Sequence, residues 1–149
     1  MQHKTTLSPE EAAELARGGH SNPFGVLGPH RLPSGRWVIR SLVPGAETLR
    51  IVAPDGEAIA QAAPAGGGLF VTELDQHPGA YRLAAERGEA RWELEDPYRF
   101  GPVIGELDEH LIAEGTHQRL WKVLGAHLRT HEGVAGVSFA VWAPGAKRV

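Results

Sequence analysis

The sequence contains no cysteine, so disulfides and thiolate metal sites play no part in its chemistry. It also lacks a strong charge of one sign. Fifteen Lys and Arg stand against eighteen Asp and Glu, a net charge of −3, which leaves no basic field for nucleic acid or for an anionic membrane. No long apolar run follows the start, so neither a secretory signal nor a spanning helix is legible, and a cytoplasmic protein is the expectation. Length is the last shortage. A chain of 149 residues can bury one core, or one core and the beginning of another. It cannot hold a (β/α)₈ barrel, which takes about 250 residues.

What is abundant is punctuation, with nineteen glycines and eleven prolines separating short apolar alternations. After an irregular, proline- and glycine-rich approach from Asn22 to Gly35, Trp37 to Leu42 alternates with period two. A second strand runs through Leu49, Ile51 and Ala53 to the turn Pro54-Asp55-Gly56 and returns over Glu57 to Ala62. Pro64 to Gly68 reads as a loop. Leu69 to Leu74, Ala80 to Ala85 and Arg91 to Glu95 follow as strands, joined at His77-Pro78-Gly79 and Glu86-Arg87-Gly88-Glu89. Short strands at this spacing with no helix between them predict an all-β chain, an immunoglobulin-like antiparallel β-sandwich.

The stretch from Asp96 to His127 breaks that rhythm. Asp96-Pro97 and Pro102 stop the last strand, and Glu106, Asp108 and Glu109 open a helix whose apolar face is Leu107 and Leu111, closed by Gly115. Thr116 is placed to cap a second short helix with Leu120, Val123 and Leu124 on one face and Gly125 as its left-handed end. Val137 to Trp142 then alternates as a single strand before Ala143-Pro144-Gly145. The expected organisation is a variable leader over 1–20, a sandwich over 21–102, a helical joint over 103–127, and the first strand of a second, truncated sandwich over 128–149. A helix start at Ser8-Pro9-Glu10-Glu11 carries only Ala12, Leu15 and Ala16, too thin a face for more than light docking.

The joint, read with Gly133 to Pro144 (GVAGVSFAVWAP) and with Asn22 to His30 (NPFGVLGPH), closely resembles the amino-terminal region of bacterial 1,4-α-glucan branching enzymes of the α-amylase superfamily, from about His20 to Val149. Gly145 and Leu128 depart from the family's usual asparagine and proline. The resemblance implies a larger enzyme that cleaves an α-1,4 linkage and rebuilds it as an α-1,6 branch without a cofactor, on barrel carboxylates that this chain does not contain. This stretch would then be a fragment, a non-catalytic module whose partners are α-glucan and the rest of the same polypeptide, with no nucleic acid or membrane. The rival is a stand-alone glucan-binding or scaffolding sandwich.

Three groups compete for chemistry. Glu106, Asp108, Glu109 and Glu114 form the densest carboxylate cluster, but a helix start holds acids as solvated dipole partners, whereas retaining glycoside chemistry needs two carboxylates about 5–5.5 Å apart across a bond. No catalytic residue is assigned. Among eight histidines only His127 and His131 stand at i, i+4, without an acidic third ligand, so no metal is assigned either. The aromatics suit a glucan better, since an indole offers a flat face to the C–H side of a pyranose. Trp37, beside Arg36 and Arg40, and Trp92, beside Arg91 and Glu93, are the carbohydrate-binding candidates; Trp121 is expected to pack the joint and Trp142 the second module.

Overall fold

The computed structural model describes residues 7–147 and falls into two units, Met1–Arg99 and Phe100–Val149. The first unit is a two-sheet antiparallel sandwich. Its strands are β1 (Gly28–Arg31), β2 (Trp37–Leu42), β3 (Thr48–Val52), β4 (Ala58–Gln61), β5 (Ala63–Gly66), β6 (Leu69–Leu74), β7 (Arg82–Arg87) and β8 (Ala90–Glu95). One sheet has the order β1-β2-β6-β5 and the other β4-β3-β7-β8. The alternation in β2, β3 and β6 to β8 is what the sequence predicts. The two strands it does not predict, β1 and β5, carry Pro29 and Pro64 and lie at the two edges of one sheet, where a residue without an N–H is tolerated.

Between the sheets lies a core of Ile39 and Phe70 from one side and Leu49, Ile51, Leu83 and Ala85 from the other. Ile39 is paired with Thr72 and Ser41 with Phe70, so these four share the inward face, and all are buried. Tyr81 is a fully buried member of the same core, and its hydroxyl donates to Asp96 Oδ2 at 2.5 Å. Asp96 Oδ1 accepts the Tyr98 N–H at 3.0 Å, so the last strand ends on a buried carboxyl with both oxygens engaged.

The first sheet is covered on its other face as well. Helix α1 (Pro9–Ala16) starts at Ser8, whose Oγ accepts the Glu11 N–H at 3.2 Å, and it buries Leu15 to 2% exposure against Val26, Leu27 and Leu69. The stretch read as a lightly docked leader is therefore part of the fold, because a single leucine at the right register completes a second apolar cluster. Arg40 is buried beneath this cover and donates to the Val26 carbonyl at 3.1 Å. Burial pulls its guanidinium below the usual arginine value while the charge of Glu11 opposes that shift, and the group stays charged at any working pH.

The second unit has helix α2 (Glu106–Glu114), a 3₁₀ turn at Leu120–Lys122, and a hairpin of β9 (Gly125–His131) and β10 (Val134–Ala140). Three readings change here. The buried residue of α2 is Ile112, while Leu107 is 70% exposed, so the covered face is rotated from the Leu107–Leu111 line. Thr116 serves the end of α2, its N–H bonding to the Leu111 carbonyl at 3.0 Å after Gly115 turns left-handed, and the second helix is reduced to a 3₁₀ turn without a side-chain cap. The lone strand is one arm of a seven-pair hairpin, turned at Glu132-Gly133 with φ of 48° and 85°. Two consecutive positive φ values make the two-residue turn whose twist matches paired strands.

Candidate glucan-facing surface

Trp92 lies on edge strand β8, opposite Ala85 of β7 and in the same row as Leu94. That row faces the core, but at the sheet edge the indole is only partly covered and remains 36% exposed. Beside it is a shallow recess of about 280 Å³, floored by Ala84 and bounded by Arg50, Glu86, Arg91 and Glu93. Arg50 reaches Glu86 at 3.0 Å and Arg91 approaches the same carboxylate at 3.7 Å, while Arg82 holds Glu93 at 2.7 Å. By strand alternation these polar groups stand on the outward face of the sheet, opposite the row that Trp92 shares with Leu94, so the recess meets Trp92 only at the sheet edge; its donors and acceptors are groups that can hydrogen-bond sugar hydroxyls.

Trp37 opens β2 and is half-buried, held edge-on by the His77 ring at 4.5 Å and 85°. Its neighbour Arg36 is occupied by Glu73 at 2.6 Å and Asp75 at 3.0 Å. The two tryptophans stand on different sheets and share no ring contact, so they do not form one platform. Sequence reasoning passed over Phe24, which at 57% is more exposed than either. It projects from a 3₁₀ turn (Pro23–Gly25) capped by Asn22 Oδ1 on the Gly25 N–H, and its ring meets Tyr98 edge-on at 5.0 Å. The signal lay in Asn22-Pro23-Phe24-Gly25, since a cap followed by proline fixes a turn and pushes the next side chain outward.

Two separated motifs meet at that place. Gly28 has φ +84°, and a Cβ built on it would fall 2.3 Å from the Tyr98 carbonyl oxygen, so the Asn22–His30 motif and the Asp96–Arg99 segment touch through a position only glycine can fill. In the second unit, Trp121 is 68% exposed and so does not pack the joint as the sequence leads one to expect, and Trp142 is 54% exposed. Two of the α2 acids have local partners, Asp108 in His117 at 2.7 Å and Glu114 in His110 at 3.4 Å. His127 and His131 donate from Nε2 to the carbonyls of Leu124 and Gly101, at 3.0 and 2.9 Å. Among the described residues no three His, Cys, Asp or Glu converge as a metal site would require.

Residues 8–98 match the family described as alpha-1,4-glucan branching enzyme GlgB, N-terminal domain. The chain belongs to this family. The matched GlgB N-terminal domain opens at the α1 cap Ser8 and closes one residue short of Arg99, where the first unit ends. Similarity continues past it. The 1,4-alpha-glucan branching enzyme GlgB of Roseobacter denitrificans is 48% identical over 96% of this chain, that of Paramagnetospirillum magneticum 52% over 93%, and that of Pseudomonas aeruginosa 47% over 93%. The chain spans 18–20% of the length of these relatives. Its described residues form the GlgB amino-terminal sandwich and a further hairpin unit.

Proposed function

We propose that this chain is the amino-terminal, non-catalytic part of a 1,4-α-glucan branching enzyme, a cytoplasmic protein that moves α-1,4-glucan segments to α-1,6 positions. The observation that carries the reading is the extent of the likeness: relatives named as branching enzymes follow this sequence through both units and are several times longer. The sandwich over 21–102 meets α-glucan and the rest of the polypeptide, the segment 103–127 joins it onward, and 128–149 opens the next module. The α2 carboxylates take no part in bond cleavage, since they are solvated or paired along one helix and do not face each other across a cleft. The 149-residue chain is therefore expected to leave the iodine staining of amylose unchanged over time, and a loss of staining above a buffer control overturns the reading.

Trp92 and Trp37 are proposed as the surface that stacks on glucose rings, Trp92 with the polar recess beside it. One partly exposed indole contributes about 0.5–1.5 kcal/mol beyond area burial, so binding to soluble glucan should be on the order of millimolar. Retardation in a glycogen-containing native gel measures it. Trp92→Ala is expected to abolish most of the retardation and Trp37→Ala less, because Trp37 is committed to His77. Two folded variants that migrate as the parent does would remove both residues from the surface.

A further inference from the structure

Four strands stand at the edges of the two sandwich sheets, and three of them are poorly suited to pair further. β1 and β5 carry Pro29 and Pro64, while β4 is four residues long and its register with β3 shifts between Ile51 and Val52. The fourth edge, β8, has none of these devices. It runs for six residues without proline and keeps an unbroken register with β7, from Arg87 opposite Ala90 to Arg82 opposite Glu95. Among the described residues β7 is its only strand neighbour.

The loop before β8 decides which backbone groups that edge offers. The hairpin closes through two residues, Gly88 and Glu89, so Arg87 and Ala90 exchange both hydrogen bonds, and every second pair beyond them does the same. The Glu47 N–H bonds the Glu86 carbonyl at 2.8 Å, which turns Glu86 towards β3 and away from Arg91 opposite it, as that pattern requires. The N–H and C=O groups of Arg91, Glu93 and Glu95 therefore point to the open side, and those of Trp92 point to β7.

Side chains select what fits this edge. A two-fold axis at Trp92 sets Arg91 opposite Glu93 of a second copy and Glu93 opposite Arg91 of that copy, each pair exchanging its free backbone hydrogen bonds. Arg91 is 78% exposed along its side chain and only loosely drawn to Glu86 at 3.7 Å, so it is free to reach across. Arg82 takes the Oε2 of Glu93 at 2.7 Å, and the other oxygen is the acceptor for Arg91 of a second copy. On the opposite face the two Trp92 side chains meet at the position where antiparallel neighbours approach closest, which covers an indole left partly exposed at the edge. An axis at Glu93 would oppose two carboxylates, and one at Arg91 two guanidinium groups. We propose that β8 pairs antiparallel with β8 of a second copy about an axis through Trp92, joining the two β4-β3-β7-β8 sheets into one. The occupant is a second copy because Arg91-Trp92-Glu93 complements itself in that register. The inference stands on the strand edge and does not need the glucan reading, since the recess over Ala84 lies on the outward face and stays open. So short a strand edge makes a small interface, and the association is transient.

The absence of cysteine makes the register readable by cross-linking. Arg91→Cys and Glu93→Cys are prepared separately, each with Trp92 in place, and oxidised alone and as a mixture. The mixture should form disulfide-linked dimer about tenfold faster than either variant alone, because position 91 faces position 93 of the other copy and neither faces itself. In sedimentation the parent's mass should rise with concentration. Glu93→Arg should abolish that rise, and the exchanged pair Arg91→Glu with Glu93→Arg should restore it, all at an unchanged circular dichroism spectrum. Phe139→Ser, on the exposed face of the other unit, should leave it as it is. A parent that stays monomeric at millimolar concentration, equal cross-linking in the mixture and the single variants, or an association lost in Phe139→Ser overturns the inference. The glucan reading fails separately, through unchanged gel retardation of Trp92→Ala and Trp37→Ala.

Discussion

Phe70→Ala is expected to destabilise the sandwich by about 3–5 kcal/mol, the range for removing a buried phenyl ring from a packed core. Phe70 is 2% exposed, comes from the central strand β6, and touches residues contributed by both sheets, so little can collapse into the space it leaves. A domain of this size has about 5–15 kcal/mol in total, so the variant should melt far below the parent or fail to fold at 37 °C. Phe139→Ala removes the same atoms from an exposed site and should change the same urea transition by less than about 0.5 kcal/mol. Equal losses in the two variants would mean that the hairpin and the sandwich share one core.

Asp96→Ala carries the second large effect. It leaves the buried Tyr81 hydroxyl and the Tyr98 N–H without their acceptor, a loss of about 2–3 kcal/mol. Burial pushes the Asp96 carboxyl up from 3.8, outweighing the Tyr81 and Tyr98 hydrogen bonds and the Arg99 charge that hold it down. Burial and the neighbouring Asp96 likewise push the Tyr81 phenol up, so it remains a donor. The sign follows from linkage. A carboxyl whose folded value is raised binds its proton more tightly in the folded state, so its contribution is whole below 3.8 and is lost as pH rises through the folded value. Asp96→Asn keeps a carbonyl for the Tyr98 N–H but turns a donor amide toward the Tyr81 hydroxyl, whose own proton is then left without an acceptor, so it should cost about 1–3 kcal/mol at neutral pH and remove that downward slope. Urea melts across the acid range decide it, and a slope unchanged in the asparagine variant would assign the pH dependence elsewhere.

β3 was legible because one of its faces is buried and the other largely is not, whereas β2, buried on both faces, was legible through its run of β-branched and aromatic residues between turn signals. Where neither face is covered, the pattern fades. β5 is exposed along its whole length and reads as the Pro64–Gly68 loop, and β1 is hidden by Pro29. Leu15 was underrated because one leucine in a polar helix shows nothing of the cluster it completes across the first sheet. A short internal repeat was displayed and passed over: His20 with Val26-Leu27-Gly28-Pro29-His30 recurs in register as His117 with Val123-Leu124-Gly125-Ala126-His127. Of the candidate surface, Trp92 was visible through its charged neighbours, but the recess needs Arg50 and Glu86 from two other strands, brought beside it only by pairing.

The central claim is that these 149 residues are a branching enzyme's amino-terminal, non-catalytic part. A chimera tests it most directly, with this chain replacing the matching region of the Paramagnetospirillum magneticum relative, assayed for α-1,6 branch points formed on amylose. The account predicts branching by the chimera at a rate comparable to the parent's and none by the chain alone. A folded chimera that binds amylose but forms no branches, or branch points formed by the 149 residues on their own, would contradict it.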